Sequence, residues 1–485
     1  MSISELLANT KTIMPLAVLV VWSCALLLVD LFIPRQRKSI TALLAAAGLV
    51  VALALVISQF GQEGVAFSRM VTLDGFALFL QVVFLASGLA GIALAYDYNQ
   101  RLGIERGEYY TLLLLSITGM MMMSMAADLI MVFLALEWLS IPLYVLAGFV
   151  RERVESEEAG LKYFLLGAYS GGFVLYGTAL IFGATGTTSL SQIATAFFNV
   201  ETNLGLLAIG AAMLIVGIGF KVSAVPFHMW TPDVYHGAPS GVTGFMSVAA
   251  KVAGFAALLR VFVVALPMVE AEITPLLWAL AALTMILGNL AAIAQGNIKR
   301  MLAYSSIAHA GYILMALVSY AKPSVTADAV AAALVYLVAY AFTSFGAWAV
   351  VVALEKTGYQ GLQLEDYAGL GRKYPALAAA MAVFMLSFTG VPPTLGFIGK
   401  FYLFATAIQG GQIALAVIGV LTSLVSAYYY LRLIVIMYMH EGEPQVRSEP
   451  WLNLTVYVSA AAVVVMSLFA TPLFNWATSA LLRGY

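Results

Sequence analysis

The chain has 485 residues, 62% hydrophobic and only 10% charged, with a mean hydropathy of +0.97 and a net charge of −1. A soluble domain carries roughly 45–50% apolar and about 25% charged residues, so lipid must solvate most of these side chains. The balanced charge excludes a basic nucleic-acid surface, and the single cysteine, Cys24, excludes cysteine-ligated iron–sulfur clusters and internal disulfides.

In chain order, apolar runs fall at 13–32, 40–57, 76–95, 110–127, 129–150, 161–182 and 204–225. They continue at 242–265, 276–294, 301–320, 327–354, 376–407, 413–439 and 452–482. A helix crosses the hydrocarbon layer with about 20 residues, so the reading is all-α and polytopic, with about 14 transmembrane helices. A closed β-barrel is the other backbone solution in lipid, and its alternating pattern is absent. The first run lacks a basic flank and a small-residue cleavage site, and reads as a retained span rather than a signal peptide. The chain ends soon after the last run, so no extramembrane enzyme domain is expected.

Seventeen basic residues lie outside the runs. Thirteen, among them Lys38, Arg101, Arg151, Lys299 and Lys373, fall in the odd-numbered connections, and Lys11, Arg69, Lys322 and Arg483 in the even ones and the tails. The odd loops are therefore expected in the cytoplasm, with the chain in the cell's cytoplasmic (inner) membrane and both termini on the other side. The other six, Lys162, Lys221, Lys251, Arg260, Lys400 and Arg432, fall within or at the edge of apolar runs. A charge in a span costs at least ~2.5–3.5 kcal/mol, so these residues mark where function is sought. Arg260 and Arg432 lie toward span ends and are expected to snorkel.

Two runs are too long and too rich in Pro and Gly for straight helices. One extends from 204 through Pro226 to Pro239 and holds Lys221; the other, 376–407, holds Gly390, Pro392, Pro393, Gly396, Gly399 and Lys400. Discontinuous helices are expected there, lining a polar cavity. Lys221 and Lys400 are 179 residues apart, and Glu137 and His309 are 172 apart. The matched offsets point to an internal repeat. Five spans separate its copies, an odd number, so the copies run inverted in the membrane.

Glu137 lies nine residues after Asp128, roughly 13 Å deep at 1.5 Å per residue. It is the only acid well inside a run. It reads either as a structural acid paired to a neighbouring helix or as a proton carrier whose state changes when a cationic partner moves. Lys221, Lys251 and Lys400 read either as cations capping freed carbonyls or as lysines that give up a proton. Their coincidence with one glutamate favours the second reading for the set. Lys162 follows Glu158 by four residues, the order of a helical ion pair, and reads equally as a surface pair or a weaker relay group. His309, near Ser305, Ser306 and Tyr312, reads as a relay group or a packing histidine. The four histidines are too scattered for a zinc or haem site, and Met120–Met123 reads as helix packing.

The run Gly219-Phe-Lys-Val-Ser-Ala-Val-Pro-Phe-His-Met-Trp-Thr-Pro-Asp-Val-Tyr-His-Gly-Ala-Pro239 resembles the N-type antiporter-like subunits of NADH:quinone oxidoreductase, respiratory complex I. So do Asn297-Ile-Lys-Arg-Met-Leu-Ala-Tyr-Ser-Ser-Ile-Ala-His-Ala-Gly-Tyr312 and Gly390-Val-Pro-Pro-Thr-Leu-Gly-Phe-Ile-Gly-Lys-Phe401. Trp-Thr-Pro-Asp-Val-Tyr favours the N type, lysine at 400 argues against the M type, and the lack of a long lateral helix argues against the L type. Gly241 stands where the family often has proline.

The resemblance implies three N-terminal helices (1–105), two inverted five-helix repeats (106–265 and 266–440) and a C-terminal helix (441–485). It implies a relay of Glu137, Lys221, Lys251 and Lys400, with Lys162 beside the first pair and His309 in the counterpart of the Glu137 helix. It further implies a translocase whose NADH, FMN, iron–sulfur clusters and quinone all belong to other subunits, with no cofactor in this chain. The implied partners are the M-type antiporter-like subunit, small K-type and J-type subunits and the lipid bilayer. A free-standing Mrp-like cation/proton antiporter and a non-pumping structural subunit are the competing readings.

Overall fold

In hydrocarbon a backbone has no hydrogen-bond partner but itself, so long uncharged runs close into helices. The computed structural model describes residues 9–196, 202–266, 270–320, 322, 324–356, 360–480 and 482. Arg483, counted above among the basic residues of the tails, lies outside them. The α-helices of eight or more residues are α1 (Met14–Asp30), α2 (Ser39–Ser58), α3 (Gly75–Arg101), α4 (Gly107–Met125), α5 (Leu129–Ala147) and α6 (Val154–Thr185). Next come α7 (Leu204–Val222), α8 (Trp230–Gly237), α9 (Ser240–Arg260), α10 (Glu270–Ile293), α11 (Ile298–Ser319) and α12 (Thr326–Leu354). The last are α13 (Pro375–Thr389), α14 (Leu395–Gln409), α15 (Ile413–Met439), α16 (Pro450–Leu468) and α17 (Ala470–Ser479). Among the described residues, 11 helices are long and apolar enough to cross a membrane, and α1, α13 and α14 are shorter apolar helices. The chain is a multi-pass α-helical membrane protein.

Polar residues start several helices where the pattern places them. Asp74, Asp128, Asn203, Asn297 and Thr394 each accept a first-turn backbone N–H, which satisfies donors that a helix start leaves free.

Both interruptions expected from proline and glycine are present, between α7 and α8 and between α13 and α14. Gly390 ends α13 at φ +89°, a conformation that favours glycine, and a Cβ there would meet Lys400 Cδ at 2.9 Å. The order helix, helix, long helix, broken helix, helix runs from α4 to α9 and again from α10 to α15. Helices α9, α11 and α12 are buried almost throughout, whereas α2, α6, α15 and α16 keep broad exposed faces.

Four details depart from the sequence reading. Helix α6 begins at Val154, so Lys162 lies in its third turn and not at its start. The last run divides at Phe469 into α16 and α17. A small antiparallel hairpin pairs Gly64–Ala66 with Val71–Leu73. Arg260 does not snorkel. It is 1% exposed, and its two terminal nitrogens donate to both oxygens of Asp74 at 2.6 and 2.9 Å, with a further bond to the Ser124 carbonyl. Buried charge persists when it is paired and hydrogen-bonded, and Asp74, 186 positions away, supplies both.

Candidate functional site

Helix α7 ends just after Lys221, and a helix end leaves carbonyls without donors. Three groups fill that need. The Trp230 indole at 2.9 Å and the Ser223 N–H at 3.0 Å donate to the Phe220 carbonyl, and the Ala224 N–H donates to that of Gly219 at 2.9 Å. The Lys221 ammonium is left for side chains. It donates to Ser140 Oγ at 2.8 Å and to the Tyr163 hydroxyl at 3.0 Å, and lies 5.0 Å from the centre of the Tyr163 ring. Tyr163 stacks flat on Trp230 at 4.6 Å, so the group that caps α7 also fixes a ligand of the lysine.

Ser140 lies one turn beyond Glu137 on α5. Glu137 is half-buried, and its Oε1 rests against Gly171 of α6, where a Cβ would approach it to 2.4 Å. Among the described residues no ion pair within 4 Å joins Glu137 to Lys221; the ammonium instead bonds Ser140, one turn further along α5.

Lys251 of α9 is 1% exposed and donates to both the carbonyl and the hydroxyl of Ser306 on α11. Ser306 Oγ also accepts the Tyr340 hydroxyl of α12 at 2.8 Å, and Tyr235 of α8 faces it. Three residues along α11, His309 contacts Tyr336 OH through Nδ1 at 2.6 Å and Tyr430 OH through Nε2 at 3.0 Å. Tyr430 in turn bonds Ser305. In a neutral ring one of those nitrogens donates and the other accepts.

Lys400, near the start of α14, donates to the Phe388 and Thr389 carbonyls at the end of α13, both at 2.9 Å, and to Ser423 Oγ at 2.6 Å. A cation at a helix C-terminus meets the negative end of the dipole. Its ammonium also stands 4.7 Å from the centre of the Tyr312 ring. Tyr312 belongs to a further polar cluster with Asn289, Tyr429 and Thr422.

The structure thus brings Glu137 and Lys221 together at the first break, and gathers Lys251, His309 and Lys400 around α11. Lys162 stands apart. Its side chain is 40% exposed and pairs with Glu158 at 2.6 Å and Asp233 at 2.7 Å, while Asp233 also takes Arg300 at 2.9 Å. Lys299, counted above with the loop cations, is wholly buried and donates to the Ala238 carbonyl at 2.7 Å. The tyrosines that connect the charges, Tyr163, Tyr336, Tyr340 and Tyr430, escaped sequence reasoning because a tyrosine in a span carries no charge to mark it. Their recurrence on one face of α12, at 336 and 340, is the one available signal. Among the described residues no three His, Cys, Asp or Glu side chains gather as a metal site would need.

Residues 126–426 match the family described as NADH:quinone oxidoreductase/Mrp antiporter, TM. The chain belongs to that family of antiporter-like membrane proteins. It is 50% identical to NADH-quinone oxidoreductase subunit N of Trichlorobacter lovleyi over 94% of this chain and 92% of that protein. It is 45% identical to the subunit of the same name from Chloroflexus aggregans over 96% of both. Among solved structures, a chain of the Thermus thermophilus respiratory complex I with bound aureothin superposes with a TM-score of 0.82 at 36% identity, covering 95% of this chain and 98% of that one. A chain of the Mrp complex from Dietzia shares the fold, with a TM-score of 0.87 at 20% identity.

Proposed function

We propose that this chain is the proton-translocating, N-type membrane subunit of an NADH:quinone oxidoreductase, and that Glu137, Lys221, Lys251 and Lys400 form its proton relay. The observation that carries the reading is the placement of three buried ammonium groups in one membrane-embedded core, each hydrogen-bonded to hydroxyls that can pass a proton. Identity of 45–50% over nearly the whole chain to proteins named subunit N supports the assignment to that complex.

In the mechanism, Glu137 holds the Lys221 proton when the two approach. When they part, Lys221 loses its anion and releases the proton toward Tyr163 and on to the Ser306 cluster at Lys251. From there His309, held between Tyr336 and Tyr430, lies on the way to Lys400. Lys162, tied to Asp233 and Glu158 at an exposed edge, has no place in this path. NADH, FMN, the iron–sulfur clusters and quinone act in other subunits, and the chain itself carries no cofactor. Its neighbours are the M-type subunit and the small K-type and J-type subunits. Residues 1–105 form an N-terminal unit, 106–265 and 266–440 the two inverted repeats, and 441–485 the C-terminal span. Both termini face away from the cytoplasm. A free-standing Mrp-like antiporter shares the fold, but the high identity lies with subunits of the oxidoreductase.

The test is proton uptake and NADH:quinone turnover in vesicles with equal amounts of assembled complex. Glu137→Gln keeps size and hydrogen bonding and removes the anion. It should leave the complex assembled with impaired pumping. Full pumping would reduce Glu137 to a structural residue and end the proposal.

A further inference from the structure

On the side of α12 away from the relay lies an apolar cavity of about 580 Å³. Its walls come from α2, α3, α12 and α16, with Trp476 of α17 closing one end. Its polar side-chain groups are the hydroxyls of Ser87, Thr455, Ser459 and the terminal Tyr96 and the indoles of Trp451 and Trp476. We propose that this cavity is a binding site for the acyl chain of a membrane phospholipid, held between the N-terminal helices and the C-terminal span.

Size, length and ends each point to that occupant. A helix 10–12 Å across fills about 120–170 Å³ per residue, so the cavity holds only about three to five residues of one and cannot take a partner's transmembrane helix. Along α3 the lining runs from Val82 to Tyr96, roughly 21 Å at 1.5 Å per residue, which exceeds the ~15 Å of one leaflet's hydrocarbon. Small side chains on facing walls, Ala86, Ala90 and Ala93 against Ala341, ordinarily let helices close on each other. Here a slot remains between them.

Aromatic residues mark both ends. Tyr96 and Trp451 meet edge-on at 6.3 Å at one, and Trp476 packs on Phe79 at 4.3 Å at the other. Such residues sit at the headgroup level of a bilayer. Beyond Tyr96 and Trp451, Arg101 is bound to Glu449 at 2.9 Å and to the Val352 carbonyl at 2.8 Å, so its charge is matched. Arg447 stands exposed two residues before Glu449, so that two arginines and the acids Asp97 and Glu449 gather beyond this mouth. The slot therefore offers hydrocarbon along its length and, past one mouth, exposed Arg447 to meet a lipid phosphate, the layout of one phospholipid chain and its headgroup.

The same helix faces both the slot and the relay. Phe342 and Ala341 of α12 line the slot, whereas Tyr336 and Tyr340 reach His309 and Ser306.

The test uses the whole complex in vesicles that contain phosphatidylglycerol with a diazirine on one acyl chain. After irradiation, labelled residues are mapped by peptide mass spectrometry, with the exposed face of α6 as the reference for ordinary boundary lipid. On dilution into unlabelled lipid before irradiation, label on α3 and α16 should outlast label on α6 by about tenfold, equivalent to 1.4 kcal/mol. Ala90→Phe and Ala341→Phe, from opposite walls, should each abolish that retention in complex that keeps NADH:quinone turnover, and Arg447→Gln should weaken it. Equal decay at α3 and α6 would overturn the site. So would persistence of the label in both Phe variants, or cross-linking of a benzoylphenylalanine at position 454 to another subunit instead of lipid.

Discussion

The two broken helices each hold a lysine, yet they treat it in opposite ways. At the first, Lys221 precedes the break, and Trp230 supplies the cap that the helix end requires. The ammonium is free to bond Ser140 and Tyr163 within a turn of Glu137. At the second, Lys400 follows the break and is itself the cap, bonded to the last two carbonyls of α13. Among the described residues no acid pairs with it within 4 Å; His309 lies on the second helix of the second run of helices, as Glu137 does in the first. One lysine is bonded to hydroxyls one turn from a carboxylate, the other to the negative end of a helix. In the proposed relay the first suits switching and the second receiving.

The sharpest break in this contrast comes from the first pair. Lys221→Ala should cut proton uptake and NADH:quinone turnover by roughly tenfold or more, and Glu137→Gln should act in the same direction. Combined, they should cost less than the two alone, because one interaction is lost in either case. A strictly additive double variant would show that the two sites work separately.

Next in size is Lys400→Met. It strands the Phe388 carbonyl, for which no other donor stands among the described residues, at about 1–3 kcal/mol where buried, while the Thr389 carbonyl keeps the Ser423 hydroxyl at 3.0 Å. The yield of assembled complex and its melting temperature should fall, in addition to the loss of pumping. Lys221→Met strands only hydroxyls, which can rotate to other acceptors, so assembly should hold while turnover is lost. Equal destabilisation by the two would erase the distinction.

Much of this was legible in the sequence, and the reasons for the rest are physical. Apolar length gave the spans, and proline with glycine gave both breaks, since each acts on its own stretch of backbone. The roles at the breaks were not legible. The carbonyl-capping reading weighed for Lys221 is realised at Lys400, because a capping indole at Trp230 is indistinguishable in sequence from an interfacial tryptophan. Arg260 was read as snorkelling because its partner Asp74 lies 186 positions away and itself reads as a helix cap. Lys299 looked like a loop cation, since nothing local reveals that the Ala238 carbonyl waits for it.

A subtler test follows from that indole. Trp230→Phe keeps the stacking on Tyr163 and removes one of the two donors to the Phe220 carbonyl, the Ser223 N–H being the other, at about 1 kcal/mol. Lys221 should turn to the lone pair so vacated and come to resemble Lys400. The coupling between positions 137 and 221 in the double-variant cycle should then shrink. Unchanged coupling would mean that the cap has no part in keeping the lysine free.

The smallest effect is expected at Lys162. Its pairs with Glu158 and Asp233 are well exposed, and such pairs contribute about 0–1 kcal/mol. Lys162→Gln should alter proton uptake by less than about twofold, within that range. A loss as deep as that of Lys221→Ala would place Lys162 in the relay after all.

Gly171 carries no side chain, yet the Glu137 carboxylate rests on it at a separation where an added carbon would push the acid aside. In a library of all single substitutions scored by growth on respiration alone, alanine at 171 should therefore be milder than loss of the acid at 137, because the carboxylate is the far end of a flexible side chain and can swing away. Larger residues at 171 should cost progressively more, and a second change that shortens the acid to aspartate should partly restore growth.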